Sequence, residues 1–439
     1  MVVGHAVSSF MLRQMEFDAD RHEARLAGSN TFEDTVRRLA VLSVAAQGAQ
    51  SDLGDFYREG RLGDDLPQLI LANIAQLPQD VHAKINEMIG QAKTGLFDTH
   101  PTDMDRIANA KHENSGGIFR LADPASSVFQ DFAGLSRTVT QTHYQHVLGA
   151  VFEPRNVHPT AELLERQAKE HEAYKAGHRF YQGQFDMFRP SRLPAEAAQT
   201  FVKAAPPAAP NAQSQLMQAR QHMLDGLDTY AQSHRRYERA RPAQRKLIEP
   251  ELVDFERAAG ARLAMALHML HAPRVAERVD DAAQWQAESA RLLPVLQAID
   301  SQLDQTVELA EAAEELAKAL NALSQAGENQ TLIQGVRGHM QTTALCLGKL
   351  LATFGALDYP FEHASGKISI AKVAVPEAPA QNDPVATFEA ARELLTALPR
   401  VKARALGRMC MAAERVEAAA GLPPLPEPPP AADDHPASD

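Results

Sequence analysis

Cysteine is almost missing. Cys346 and Cys410 are the only two in 439 residues and no CxxC occurs. Neither a cysteine zinc site nor a disulfide framework is therefore available, and a reducing compartment fits best. Positive charge is in deficit, with 44 Lys+Arg against 56 Asp+Glu and a net charge of −12. Nucleic acid and anionic lipid are polyanions, so a general affinity for either is excluded. Aromatic residues make up 6%, and alternating β-branched runs are scarce. Long apolar runs are lacking too. The best, MQTTALCLGKLLATFGAL at 340–357, holds a lysine and several polar residues and reads as a buried core helix. The first twelve residues, MVVGHAVSSFML, carry no Asp, Glu, Lys or Arg, but a bilayer span needs ~20 apolar residues. Without a basic leader or an A-x-A-like cleavage site they do not read as a signal peptide either. An apolar start at Met1 reads instead as the end of a longer helix. HExxH is absent as well. HEARL (22–26), HENSG (112–116), HEAYK (171–175) and the overlapping EHEAY (170–174) all lack a histidine four residues after the first.

What is present is helix-forming. Against a typical domain of ~100–200 residues, 439 residues imply two or three folded units. The chain is 44% hydrophobic and 23% charged, which suits a packed core and excludes a wholly disordered or collagen-like protein. Ala, Leu, Glu, Gln and Arg dominate, the residues that lose least on entering a helix. Over 303–325, Leu309, Leu316, Leu320 and Leu323 share one face, while Glu308, Glu311, Glu315 and Lys318 lie mostly off it. The same periodicity predicts helices over 10–28, 30–50, 65–76, 79–93, 160–178, 211–240, 243–272, 280–300 and 385–419. The only strand-like stretch is KISIAKVAV at 367–375. AAPPAAP at 204–210 and VPEAPAQNDP at 375–384 interrupt helices. LPPLPEPPPAADDHPASD at 422–439 is Pro-rich and acidic, so disorder or polyproline II is expected there. The expected fold class is mainly α. It comprises an N-terminal unit (1–155), a helical connector (156–203), a Pro/Ala linker (204–210), a helical-bundle extension (211–420) and a disordered tail (421–439).

One segment carries chemistry. In RQMEFDADRHEARLAGS, from Arg13 to Ser29, a helix places Glu16 and Asp20 one turn apart on the same side. Two like charges so placed repel slightly. A metal or a shared histidine removes that penalty, whereas a solvated acidic face merely tolerates it. The helix ends at Ala27-Gly28-Ser29-Asn30, a C-cap pattern. Further on comes LFDTHPTDMDRI at 96–107, with Arg106 six residues after His100. Structurally, His100-Pro101 reads as the start of a helix capped by Asp98 or Thr99, and Arg106 as an ion-pair partner of Asp103 or Asp105.

EFDAD with its AGS helix end, followed by THPxxxxRI, resembles the HtpX / CAAX-prenyl-protease family of membrane zinc metallopeptidases. The likeness covers about the first 120 residues. It implies that Glu16 is the glutamate completing a His₂Glu zinc site, and that Asp20 is the outer aspartate fixing a zinc-bound imidazole. It also implies that His100 lies near the metal as an oxyanion stabiliser and that Arg106 supports the same region. The implied activity is zinc-dependent endoproteolysis of protein or peptide substrates at a membrane, with one zinc ion as cofactor.

The chain departs from that family in one respect. Only fifteen residues precede Glu16 and none supplies the HExxH helix that carries two imidazoles and the general-base glutamate. The expectation is a metallopeptidase remnant, inactive alone, whose missing part confers an inner-membrane location with the site facing the cytoplasm; as a complete chain it is expected in the cytoplasm. The alternative is a non-enzymatic helical interaction protein retaining part of a protease scaffold. The remaining histidines (His5, His22, the pair His143 and His146, His171 with His178, and His268 with His271) read as solvated, interior or rim residues.

Overall fold

The computed structural model describes residues 2–95, 97–119, 123–194, 211–326 and 329–428. Among them the chain is mainly α, with fifteen α-helices and one minimal two-stranded parallel pairing. It divides into two compact units, Met1–Glu165 and Arg166–Asp439. No described helix is long and apolar enough to cross a membrane.

The first unit opens with α1 (Val2–Ala27) and α2 (Ser29–Arg58), separated only by Gly28 at φ 104. Then come β1 (Leu62–Gly63), α3 (Leu66–Gln76), α4 (Gln79–Gln91), α5 (Asp103–His112), α6 (Phe132–Leu148), β2 (Val157–His158) and the start of α7 (Thr160–Phe180). Phe32 and Val36 of α2 pack with Ala24, Ile85, Ile89, Ile107 and Ala110, which joins α1, α2, α4 and α5 in one apolar cluster. A second cluster gathers Ala49, Leu53, Leu62, Leu69 and Tyr144. α6 is attached differently. The Ser136 hydroxyl donates to Asp65 Oδ1 at 2.5 Å, Thr140 Oγ1 accepts from the Leu66 amide at 2.9 Å, and the Tyr144 hydroxyl donates to the Gly63 carbonyl at 2.9 Å. Its inward face is therefore hydroxylic, and burial pushes the Tyr144 phenol above its usual range. The apolar residues Phe132, Leu135 and Val139 of α6 lie on the exposed side while the buried side is hydroxylic, the reverse of the pattern that marks a core-facing helix.

The second unit takes the rest of α7, then α8 (Ala212–Arg239), α9 (Pro242–Met269), α10 (Pro273–Ala276), α11 (Ala282–Ser301), α12 (Leu303–Ala326), α13 (Gln330–Gly355), α14 (Ile370–Ala374) and α15 (Pro384–Ala419). α15 is its central element and packs against α9, α11, α12 and α13. Ala391, Leu394, Ala405, Leu406, Met409, Ala412, Ala413 and Val416 are buried along it. Gly407 lets α7 approach closely, since a Cβ there would lie 2.3 Å from the Ala173 carbonyl oxygen.

Charges are also buried in this unit. Arg262 and Arg220 share Glu417, and Lys402 pairs with Asp300 at 2.6 Å. Arg189 and Arg192, on the stretch after α7, bind Glu249 and Glu256 of α9. The same stretch is held by Asp186, whose Oδ2 lies 2.9 Å from His234 Nε2. The hydrogen bond to Asp186 raises His234 above its ordinary value of 6.5. Burial pushes Asp186 upward, but the bonds from His234 and the Phe188 amide outweigh it and leave Asp186 below 3.8. A raised histidine contributes stability that is full below about 6.5 and fades as pH rises through its folded value; a lowered aspartate loses its contribution only in stronger acid. Chemical denaturation of the second unit is thus expected to show greatest resistance between about pH 4 and 6.5 from this pair, and His234→Gln flattens that window. An unchanged pH profile in the variant rejects the pair's role.

Several elements differ from expectation. The stretch 367–375 is no strand: Ser369 caps α14, its hydroxyl accepting from the Lys372 amide at 3.3 Å. Val373 and Ile370 are buried as helix residues in the second unit. The helix predicted over 30–50 runs on to Arg58; α5 was anticipated only as a helix starting at His100-Pro101, and α6 was not predicted. Residues 166–194 belong to the second unit. The Pro/Ala linker at 204–210 lies outside the described residues. Of the expected disordered tail, residues 429–439 lie outside the described residues; before them Leu422 is buried, Arg220 donates to the Pro423 carbonyl at 2.6 Å, and Gln182 donates to the Pro426 carbonyl at 3.2 Å.

Candidate functional site

The side of α1 that faces the segment 97–119 carries Ser9, Arg13, Glu16, Phe17, Asp20 and Ala24, spaced three or four residues apart as one helical face requires. Each makes a contact. The Ser9 hydroxyl donates to the Phe97 carbonyl at 3.2 Å, and Arg13 donates to the Asp98 carbonyl. Asn109 of α5 donates to the Phe17 carbonyl at 3.1 Å. His5, further up the helix, stacks on Phe97 with ring centroids 6.0 Å apart.

Between these contacts lie the four residues singled out in the sequence, and they converge. Glu16 Oε1 stands 3.2 Å from His100 Nδ1, although 84 residues separate them. Four residues along α1, Asp20 accepts two hydrogen bonds from Arg106, Nε to Oδ2 at 3.0 Å and Nη2 to Oδ1 at 2.7 Å. The two pairs differ in environment. Asp20 is 1% exposed, whereas the side chains of Glu16 and His100 are 35% and 76% exposed. Arg106 also lies 5.9 Å from the centroid of the Phe32 ring. The hydrogen bond to Asp20 raises the Arg106 pKa, with Glu16 and Asp103 adding at longer range and burial opposing. The inner pair is thus a bidentate anchor between α1 and α5, and the outer pair an open carboxylate–imidazole couple.

Local chemistry places His100 where it is. Asp98 Oδ2 accepts from the Gly95 amide at 2.6 Å and closes a turn. The cap of α5 is Thr102, whose hydroxyl accepts from the Asp105 amide at 3.2 Å, and not Asp98 or Thr99. Thr94 ties both ends together, accepting from the Thr102 amide at 2.9 Å and donating to Asp105 at 2.5 Å. With Asp105 so used, Arg106 pairs across helices with Asp20 and not with a neighbour on α5.

The helix end at Gly28 has a partner that the sequence reading missed. The Ser29 hydroxyl donates to the Ala110 carbonyl at 2.7 Å and accepts from the Ser115 amide at 3.0 Å. The amides of Ile118 and Phe119 both bond the Leu26 carbonyl. Gly117, at φ +72, sits so close that a Cβ would lie 2.6 Å from the Ala27 carbonyl carbon. The adjacent glycines in Ser115-Gly116-Gly117 were the available signal. Gly117→Ala is expected to cost about 1–3 kcal/mol, since backbone atoms must move apart. Urea unfolding followed by circular dichroism reads this directly; an unshifted midpoint contradicts the close approach.

As metal donors, the pair falls short. Protein-bound zinc takes at least three protein ligands. Glu16 and His100 supply two, and both oxygens of Asp20 are held by Arg106, so its bonding partner is a guanidinium and not an imidazole. Among the described residues no group of three His, Cys, Asp or Glu could hold a metal ion. His22, His143, His146 and His171 are exposed. His178 and His271 are half-buried, each with its pKa lowered by burial. The residues present do not fit zinc by themselves. No family model, no curated protein and no solved structure matches the chain.

Proposed function

We propose that residues 1–165 are the downstream portion of a zinc metalloendopeptidase unit of the HtpX / CAAX-protease kind, acting on proteins at a membrane, and that the 439-residue chain is inactive alone. The observation that supports this reading is the meeting of EFDAD and THPxxxxRI. Glu16 faces His100, and Asp20 is clamped by Arg106, across 84 and 86 residues. A bound zinc, with further ligands from outside these residues, would supply a polarised water. The chain's own residues perform simpler tasks. The Glu16 carboxylate contacts His100 at Nδ1 and orients the ring. The opposite edge of the exposed imidazole is left to hold or release a proton toward a bound group. Asp20 and Arg106 fix the two helices so that this couple keeps its geometry.

A second reading has its own support. Val7, Phe10, Met11, Leu12 and Met15 of α1 are exposed, as are Phe132, Leu135 and Val139 of α6. Apolar helix faces of that kind favour a non-enzymatic interaction protein. Elemental mass spectrometry of the purified chain and of Glu16→Gln, with a casein-cleavage assay, separates the readings when paired with the coding DNA ahead of codon 1. The protease reading expects zinc well below stoichiometry, no cleavage, and an in-frame HExxH upstream. A stop codon or unrelated sequence there leaves the interaction protein. Stoichiometric zinc that vanishes in Glu16→Gln overturns the inactivity of the chain.

A further inference from the structure

The antiparallel pair α8 and α9 ends in six cations within twelve residues: Arg235, Arg236, Arg239, Arg241, Arg245 and Lys246. Glu238 is the only acid among them, in a chain of net charge −12. All six cations are exposed. Some of this charge is already used. Arg236 pairs with Glu251 at 2.9 Å, and Arg245 donates to the carbonyls of Ala240 and Glu238 while lying over the Tyr237 ring. Arg235 and Arg239, one turn apart on α8, have no hydrogen bond or ion pair with any described residue. Beside them is an open cleft of about 710 Å³, with Gln232, Arg235, Arg236 and Arg239 on one wall and Leu247 and Ile248 on the other. Leu247 is 78% exposed.

We propose that this cleft binds an acidic peptide segment that carries an apolar side chain between its carboxylates. The two uncommitted guanidiniums stand on a helical i, i+4 spacing of about 6 Å between Cβ atoms. Alternate residues of an extended peptide are separated by about 7 Å, so successive same-side carboxylates match the pair. Guanidinium accepts a carboxylate through two parallel N–H bonds. Leu247 and Ile248 then cover the apolar side chain in between, burial that inorganic phosphate cannot exploit. Single-stranded nucleic acid binds by stacking on open rings. Here no ring lines the cleft, and adjacent Tyr237 is already engaged by Arg189 and Arg245, 5.0 and 5.2 Å from its centroid. An anionic bilayer is a plane and meets the acidic remainder of the surface along with the cations; a narrow peptide meets the cleft alone. Over a Debye length of about 8 Å it is this local charge, and not the net −12, that a short ligand senses.

Fluorescence anisotropy of a labelled peptide, Glu-Leu-Glu-Asp-Leu-Glu, titrated with the full chain tests the assignment. Saturable binding is expected, weakened at least about tenfold by Arg235→Glu combined with Arg239→Glu, and similarly by Leu247→Asp. All these positions are exposed, so helix content by circular dichroism should stay unchanged. Raising NaCl from about 0.05 M to about 0.5 M weakens binding as well, and a peptide with lysines in place of the acids does not bind. Absence of saturable binding, or equal binding by the double variant, overturns the proposal. Capture of phosphatidylserine vesicles with no affinity for the peptide also overturns it, in favour of a lipid surface.

Discussion

Glu417→Leu is expected to destabilise the second unit by about 3–5 kcal/mol, the usual cost of stripping one partner from a buried ion pair. Glu417 accepts from Arg262 Nε at 2.6 Å and Nη2 at 2.8 Å, and from Arg220 Nη1 at 3.2 Å. Arg262 is 1% exposed, and its remaining partners include the Phe180 carbonyl at 2.7 Å, the Met223 Sδ at 3.6 Å and the Phe180 ring. Burial already lowers the Arg220 pKa, Arg262 lowers it further, and Glu417 is the influence that opposes both. Leucine in its place leaves two cations facing each other out of reach of water. Adding Arg262→Met and Arg220→Met to Glu417→Leu recovers most of the loss, because removing a whole buried ionic group costs far less than orphaning part of it. Urea denaturation of the three-way combination beside the single variant decides the matter. A loss below about 1 kcal/mol in the single variant shows that water reaches the arginines and that the triad is not an internal anchor.

In the first unit the largest effect belongs to Arg106→Met. Methionine roughly preserves the apolar stem but removes both donors to Asp20, leaving a carboxylate that is 1% exposed without its guanidinium. A loss of about 3 kcal/mol is expected. The consequence reaches beyond stability. α1 and α5 are held along one stripe, so slackening at Asp20 moves Glu16 relative to His100, and the Glu16–His100 contact at 3.2 Å is the first to go. Proton NMR of the His100 ring reads that contact: its resonances are expected to move when the Glu16 carboxylate leaves Nδ1. Arg106→Lys should recover part of the stability but not the bidentate geometry. If Arg106→Met leaves both the unfolding midpoint and the His100 ring resonances unchanged, Asp20 and Arg106 do not position the site.

Helix content needed no tertiary information. Ala, Leu, Glu and Arg at a 3.6-residue period announce α12, with Leu309 and Leu316 buried as the pattern requires. The meeting of Glu16 with His100 and of Asp20 with Arg106 was legible only as an expectation carried by two short motifs. Spacing within one helix puts Glu16 and Asp20 on a common face, but chain order says nothing of which segment covers that face. α6 was illegible for a different reason: it is held by hydroxyls on Ser136, Thr140 and Tyr144, groups that look like surface in a hydropathy pattern. The stretch 367–375 misled because β-branched residues fit a short buried helix as well as a strand once Ser369 provides a cap. Likewise, a net charge of −12 hides the cations of the α8–α9 end. Local propensity and periodicity are properties of neighbours in sequence, whereas ion pairs such as Arg262 with Glu417, 155 residues apart, exist only after packing has excluded water around both partners.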